Sequence, residues 1–434
     1  MNYEEALSYI HGICWRGSRL GLSRTYELLA LLDNPQNRLR FVHIAGTNGK
    51  GSTASMLASI LNASGYRVGL YTSPFINRFN ERMQVNGQSI PDELLADLTT
   101  EIRPLAETMA DPPTEFELIT AIAMVYFQRE ACDIVVLEVG MGGSLDSTNV
   151  IASPEVSVLT AIGLDHVREL GPTMADIAAA KAGIIKANRP VVSYGGNPDA
   201  DEVFAAVCER LASPLHQPDF SRIICHSVTL KEQIFSYKAW QKLSLPLVGS
   251  YQLKNAAVVL ETVSVLRDIG WHISDDAVRL GLACTHWPAR FEVLHQNPTV
   301  IVDGGHNPHG IRATAESLER LFPHRPITFV TGVMADKDVA AILGLIVPLA
   351  KEFFTVTAPN PRAMTAEALA EKLTALGAAA TPCPSPEEGI AAAMTAAGAD
   401  GIVCALGSLY MSGDIRRYLL AHNERRTGEQ HGDF

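Results

Sequence analysis

The chain of 434 residues has seven cysteines but no C-x-x-C pair. That argues against a zinc ribbon or a disulfide framework and fits a reducing, cytoplasmic setting. Positive charge is not in excess: 35 Lys and Arg stand against 47 Asp and Glu, a net charge of −12. Such a chain repels nucleic-acid backbones and anionic membranes, so neither is expected as a partner. No apolar run reaches the ~18 residues of a membrane span, and the longest candidate, near 340–350, contains Pro348. The first residues carry Glu4 and Glu5 where a signal peptide would be basic. No G-x-G-x-x-G follows the first β-branched run, which weighs against a dinucleotide-dependent dehydrogenase. An internal repeat is also missing.

What is present is an alternation of short β-branched runs with helical patterns, the mark of a mostly parallel sheet covered by helices. Strands are expected at 41–45, 67–71, 134–139, 155–161 and 189–193, then in a second series at 299–303, 326–330, 353–357 and 401–406. A helix after residue 50 buries Met56, Leu57, Ile60 and Leu61 and closes near Gly65. Another spans about 115–129. The segment 287–298 has prolines near both ends and separates the two series. The fold class is therefore α/β: a P-loop-type, mostly parallel ATPase domain over 1–290, a linker at 291–298, and a smaller Rossmann-like α/β domain over 299–434. The polar tail from Ala421 reads as frayed.

The most informative stretch is 41–53, where an apolar strand stops at Gly46-Thr47-Asn48-Gly49-Lys50-Gly51-Ser52 and a helix follows. Glycines let backbone N–H groups approach phosphate oxygens, a lysine neutralises charge and a hydroxyl reaches Mg²⁺. The loop is not a standard G-x-x-x-x-G-K-[ST]: its first glycine would fall at Ile44, and Gly51 stands where Ser or Thr is expected. A plain glycine turn with a surface lysine is the competing reading; strand, loop, helix and hydroxyls in order disfavour it. Glu138 ends an otherwise apolar strand, a costly place for a carboxylate unless it is paired or serves a metal. Ser73 is either a turn cap before Pro74 or a metal ligand. His166, after another strand, is a structural hydrogen-bonder or a ligand at the edge where ligands bind. Lys181, near a helix C-terminus, reads locally as a cation on the helix dipole. Asn255 reads locally as a polar residue opening a helix, and Arg290 as a hinge ion pair or a phosphate clamp. Asp303 ends a strand before two glycines and His306, a second cradle in which the acid could meet a ribose and the imidazole a phosphate.

Taken together, Ala-Gly-Thr-Asn-Gly-Lys-Gly-Ser at 45–52, Tyr-Thr-Ser-Pro at 71–74, Phe-Asn-Glu-Arg at 79–82 and Thr-Glu-Phe-Glu at 114–117 resemble the folylpolyglutamate synthase/dihydrofolate synthase family of the Mur ligase superfamily. So do Leu-Glu-Val-Gly-Met-Gly-Gly at 137–143, Leu-Asp-Ser-Thr-Asn at 145–149, Gly-Leu-Asp-His at 163–166 and Ala-Lys-Ala-Gly-Ile-Ile-Lys at 180–186. Trp-Pro-Ala-Arg-Phe-Glu at 287–292, Asp-Gly-Gly-His-Asn-Pro at 303–308 and Gly-Ser-Leu-Tyr at 407–410 complete a collinear series.

The resemblance implies that Gly46 to Ser52, with Lys50 foremost, bind ATP, joined by Asn255, Arg290 and Asp303. It implies two Mg²⁺ sites, one held by Ser73 and Glu138 and another by His166, with Lys181 carried as a carbamate that ligates metal. Lys50, Lys181 and His306 are the expected catalytic groups. Thr114, Glu115, Phe116 and Glu117, with Leu145, Asp146 and Ser147, match the pterin-side region. Ser144 and Phe75 depart from the family pattern, in which Arg is usual at the first place and His common at the second. The implied reaction is ATP-dependent ligation of L-glutamate to a folate carboxylate through an acyl phosphate, in a cytoplasmic monomer. Dihydrofolate synthesis from dihydropteroate is the alternative, alone or combined, and a P-loop switch without ligase chemistry is a distant third.

Overall fold

The computed structural model of the chain describes residues 1–13, 19 and 21–429. Two compact units emerge, the first made of residues 1–224, 236–244 and 253–285 and the second of 225–235, 245–252 and 286–434. The short segments 225–235 and 245–252 thus belong with the second unit, where a single cut near 290 leaves them in the first. One reason is local: the Gln233 amide donates to Leu247 O at 2.8 Å and Gly249 O at 2.9 Å, tying one segment to the other.

In the first unit the strands are β1 (Phe41–Ala45), β2 (Val68–Tyr71), β3 (Met83–Val85), β4 (Gln88–Ser89), β5 (Ile134–Glu138), β6 (Val156–Leu159), β7 (Val191–Ser193) and β8 (Leu215–His216). They form one sheet in the order β4-β3-β2-β5-β1-β6-β7-β8. All neighbours from β2 to β8 run parallel, and β3 and β4 add an antiparallel edge. β1 lies between β5 and β6, every one of its residues buried. Continuous burial explains why its sequence is apolar without alternation. The chain leaves β1 for β2 on one side, and reaches β6 on the other only later. The loop after β1 therefore opens at a point where strand order reverses, the position where α/β sheets bind ligands.

The helix Lys50–Ala63 follows that loop; its C-cap is Ser64, one residue before the expected Gly65, which follows at φ +88°. The helix Glu115–Arg129 has the expected bounds and packs Leu118, Ile119, Ile122 and Tyr126 into the core shared with Tyr71, Val135 and Leu137.

A further three strands, β9 (Ile223–Val228), β10 (Gln233–Tyr237) and β11 (Trp240–Leu245), make a small sheet absent from the sequence reading. In the second unit β12 (Glu292–Gln296), β13 (Thr299–Val302), β14 (Ile327–Thr331), β15 (Ala350–Thr355), β16 (Ala380–Pro382) and β17 (Ile402–Leu406) form a sheet ordered β12-β13-β17-β14-β15-β16. Only the β12–β13 pair is antiparallel. The tail expected to fray from Ala421 is helical as far as Glu429, as part of a helix Leu409–Glu429 that buries Met411, Ile415 and Leu419 ahead of it, and residues 430–434 lie outside the described residues. Among the described residues no helix is long and apolar enough to cross a membrane.

Candidate active site

The turn after β1 is held by the chain beyond β6. The Thr47 and Asn48 N–H groups donate to Ala161 O at 2.9 and 3.1 Å. The Thr47 hydroxyl donates to Gly163 O at 3.0 Å and accepts from the Gly163 N–H at 3.1 Å. Gly46 runs so close to Thr160 that a Cβ would lie 1.8 Å from its Oγ1, and Gly49, at φ +88°, would bring a Cβ to 2.7 Å from Asn255 Oδ1. Both glycines are steric requirements, and no side chain caps the helix that follows. Its N-terminal N–H groups suit an anion. Replacing Gly46 by alanine should displace the loop from Thr160 and weaken ATP binding by about tenfold or more, read by calorimetric titration. Unchanged affinity would contradict this account of the loop.

Lys50 is the first residue of the helix, and its Nζ lies 3.3 Å from Thr47 O and 4.0 Å from Glu138 Oε1. β-pairing puts Glu138 level with Ile44, two residues before the loop. Glu138 is buried, and its Oε2 accepts from the backbone N–H of Ser73 at 3.3 Å. Three residues from three different strand ends thus converge on one carboxylate edge.

Lys181 corrects the local reading of a cation resting on a helix end. The helix Met174–Ala182 turns this side chain inward, where it is 4% exposed and donates to Gly46 O at 2.9 Å. Burial, reinforced by the charge of Lys50, pulls its pKa down to about 7. Gly143 permits the approach, since a Cβ there would lie 2.9 Å from Lys181 Cα. An amine that is half neutral at pH 7 is a nucleophile towards CO₂, whereas an ordinary lysine is not.

His166 is exposed, sits at φ +51° and has its backbone N–H on Asp165 Oδ1 at 2.9 Å. Among the described residues no three His, Cys, Asp or Glu gather as a metal cage. What is gathered suits a hard cation that keeps water and borrows oxygens from a phosphate, because Mg²⁺ needs only one or two carboxylates. Asn255 is not the opening residue of its helix. Ser250–Asp268 begins five residues earlier, and Asn255 is buried against the Gly49 turn.

Of the four residues at 114–117, two hold the helix itself. Thr114 is its N-cap: its N–H donates to Glu117 Oε2 at 2.7 Å and the Glu117 N–H returns to its Oγ1 at 3.4 Å. Glu117 also receives Arg24, through Nε at 2.9 Å and Nη2 at 2.8 Å, both side chains buried. Removing Glu117 leaves the buried Arg24 with only the half-exposed Asp111 at 3.2 Å as a charge partner, so Glu117→Ala should lower unfolding stability by up to about 3 kcal/mol in urea titrations. A change below about 1 kcal/mol would return Glu117 to the substrate list. Glu115 meets His11 at 3.0 Å, and Phe116 packs near Tyr71 and against Gly140.

Leu145 is exposed, while Asp146 and Ser147 are buried. Asp146 accepts from Met141 N–H at 2.8 Å and from the Thr148 N–H and hydroxyl at 3.0 and 2.6 Å, so it closes the glycine loop after β5. Burial still raises its pKa. Thr148 Oγ1 in turn lies 2.9 Å from Nε2 of His43, a buried imidazole that desolvation holds neutral, with a pKa near 3. His43 and Thr160 escaped the sequence reading; the available signal was a polar residue inside an apolar strand.

In the second unit, Asp303 is engaged by the protein rather than left open for a ribose. Its Oδ1 accepts from Gly305 N–H and Thr314 Oγ1, both at 2.8 Å, and its Oδ2 from Phe291 N–H at 2.9 Å. It thereby fixes the turn carrying Arg290, whose neighbours Ala289 and Phe291 have φ of +53° and +51°. Gly304 lies under that arginine, and a Cβ there would be 2.2 Å from Nη1. Glu292 anchors the turn through Ala289 N–H at 2.9 Å and a bidentate Arg416. His306 points Nδ1 at Gly304 O at 2.9 Å, and Asn307 caps the helix Pro308–Leu321.

Residues 44–263 match the Mur ligase middle domain and residues 289–409 the Mur ligase, glutamate ligase domain. The chain is 40% identical to a folylpolyglutamate synthase of Lacticaseibacillus casei, covering 97% of this chain and 99% of that one. It is 36% identical to a dihydrofolate synthase/folylpolyglutamate synthase of Bacillus subtilis, over 96% and 99%. A solved structure described as an FPGS-AMPPCP-folate complex superposes with a TM-score of 0.84 at 37% identity, over 97% of this chain and 100% of that one. On these grounds the chain belongs to the Mur ligase superfamily, among the folylpolyglutamate synthases and dihydrofolate synthases.

Proposed function

We propose that the chain joins L-glutamate to a carboxylate of a folate at the expense of ATP, acting as a cytoplasmic monomer. The observation that carries this reading is the convergence of Lys50, Glu138 and Lys181 on a phosphate-type loop at the switch point of the sheet. The relatives' names and the bound AMPPCP and folate of the solved neighbour supply the substrates.

A carboxylate is a poor acyl donor because its oxide leaves badly. One of its oxygens attacks the γ-phosphorus, ADP departs, and an acyl phosphate forms. The glutamate amine then attacks the acyl carbon, expels phosphate and loses a proton. Two anions must meet in the first step, so fixed positive charge carries much of the catalysis. Lys50, at the loop, offsets charge on the transferred phosphoryl group. The open helix N-terminus receives the β-phosphate side.

Ser73, Glu138, His166 and a carbamate on Lys181 are the groups that would hold Mg²⁺, which supplies neutralisation of the phosphate oxygens. Asn255, Arg290 and Asp303 are assigned to the nucleotide, Asp303 by positioning the turn of Arg290, and His306 to the second unit's reacting edge. Phe116, Leu145 and Asp146 are kept on the pterin side.

Dihydrofolate synthesis remains the second reading, because the Bacillus subtilis relative carries both names. Incubation with ATP, glutamate and either tetrahydrofolate or dihydropteroate separates them by mass of the product. Phosphate release without an amide product from either acceptor would leave only the ATPase reading.

A further inference from the structure

The loop 74–81 returns the chain from β2 to β3, and Thr72 N–H donates to Arg82 O at 3.0 Å. Arg82 therefore lies across from the residue preceding Ser73, at the same sheet edge as Glu138. The charged groups around it are already matched. The Glu81 carboxylate accepts from the N–H groups of Ile76, Asn77 and Arg78 at 2.9, 3.1 and 3.2 Å. Asp92 takes Arg78 through two contacts of 2.9 and 2.8 Å, and the Asn80 amide as well.

Arg82 is different. Its guanidinium carbon stands 5.4 Å from the ring centroid of Phe75 and 5.5 Å from that of Phe79. Its Nε is buried with no hydrogen-bond partner, and no carboxylate among the described residues pairs with it. In a chain of net charge −12, a guanidinium oriented by two rings and left without an acid is conspicuous. Were Arg82 only a clamp for this loop, Glu81 or Asp92 would be the natural partner, and both are engaged elsewhere. A desolvated donor without an acceptor is unfavourable until an oxygen arrives. The planar fork fits a carboxylate in two-pronged fashion, and the aromatic faces fix its plane.

We infer that Arg82 binds the acceptor's second, non-reacting carboxylate and so determines specificity for a folate over an acceptor with one carboxylate. This rests on the folate reading above. A folate's glutamyl group has one carboxylate to activate and another beside the amide nitrogen; dihydropteroate has only the first kind.

The test compares tetrahydrofolate with its analogue in which γ-aminobutyrate replaces the glutamyl group, so that only the non-reacting carboxylate is missing. The wild-type enzyme should show a KM about 10- to 100-fold higher for the analogue, as expected for a charge-assisted hydrogen bond. In Arg82→Gln the KM for tetrahydrofolate should rise to that of the analogue, the analogue's KM and the KM for ATP should stay as they were, and Arg82→Lys should recover part of the difference. Equal KM values for the two acceptors in the wild type overturn the inference without any variant. So does an Arg82→Gln enzyme whose KM rises equally for both, or a wild type that ligates dihydropteroate alone. A wild type that forms no amide with any acceptor would instead remove the folate reading itself.

Discussion

Lys50→Met lowers kcat for glutamate ligation by at least about 1000-fold, in line with loss of a preorganised positive charge at a phosphoryl group. Methionine keeps the apolar stem that leaves the side chain only 17% exposed, so the loss isolates the ammonium. The argument is geometric. Among the described residues no carboxylate lies closer to Lys50 Nζ than 4.0 Å, and the carbonyl of Thr47 accepts from it at 3.3 Å. It is held near the loop by weak contacts, which leaves the charge available for an incoming anion. Because the charge grows on the phosphoryl oxygens in the transition state, kcat should fall further than the affinity for ATP. Steady-state kinetics and ATP binding measured on the same preparation check both halves. A drop below about tenfold in kcat would place phosphoryl stabilisation elsewhere.

Lys181→Met should abolish ligation to at least about 100-fold, and the wild type should depend on CO₂. The buried amine has a pKa near 7 in place of its ordinary 10.5. Above pH 7 it is largely neutral and can add CO₂; below pH 7 the ammonium cannot. Enzyme stripped of CO₂ should therefore recover with bicarbonate at pH 8 and recover slowly at pH 6. The same shift sets a stability slope. Between pH 7 and 10.5 the unfolded chain binds more protons than the folded one, so stability rises with pH across that window. Below pH 7 the full cost of burying the ammonium is present. Urea unfolding of metal-free, CO₂-free protein should show this rise, and Lys181→Met should lack it. Bicarbonate-independent activity would count against the carbamate.

The central strands and the loop were legible in the sequence because continuous burial and glycine chemistry leave strong local marks. Phe41–Ala45 and the Glu115–Arg129 helix have their expected bounds. The edge strands β3 and β4 and the sheet β9 to β11 were not legible. Gln88 and Ser89 are exposed, Gln84 is half-buried, and in 223–228 no residue is fully buried and Ile224 faces out beside His226, so apolar and polar residues do not sort by face and give no period-2 signal. The helix Leu409–Glu429 was hidden because its sequence is rich in polar residues, with a weak apolar stripe at Met411, Ile415 and Leu419.

The site shows a sharper limit. Spacing revealed where Lys181, Glu117 and Asp303 stand along the chain but not what they face. Lys181 can turn inward to Gly46 O because Gly143 leaves room for its backbone, a contact between segments distant in sequence. Glu117 and Asp303 look like ligand-binding acids, and they meet Arg24 and Thr314 instead. Long-range partners decide a carboxylate's role, and a single sequence does not state them.

The most direct test follows the carboxylate oxygen. Tetrahydrofolate bearing ¹⁸O in its glutamyl carboxylates is incubated with the enzyme, MgATP and unlabelled glutamate, and the released phosphate is examined by mass spectrometry. Passage through an acyl phosphate places one substrate-derived ¹⁸O in the phosphate for each amide formed. Amide formation with unlabelled phosphate would contradict the mechanism assigned to Lys50 and its loop.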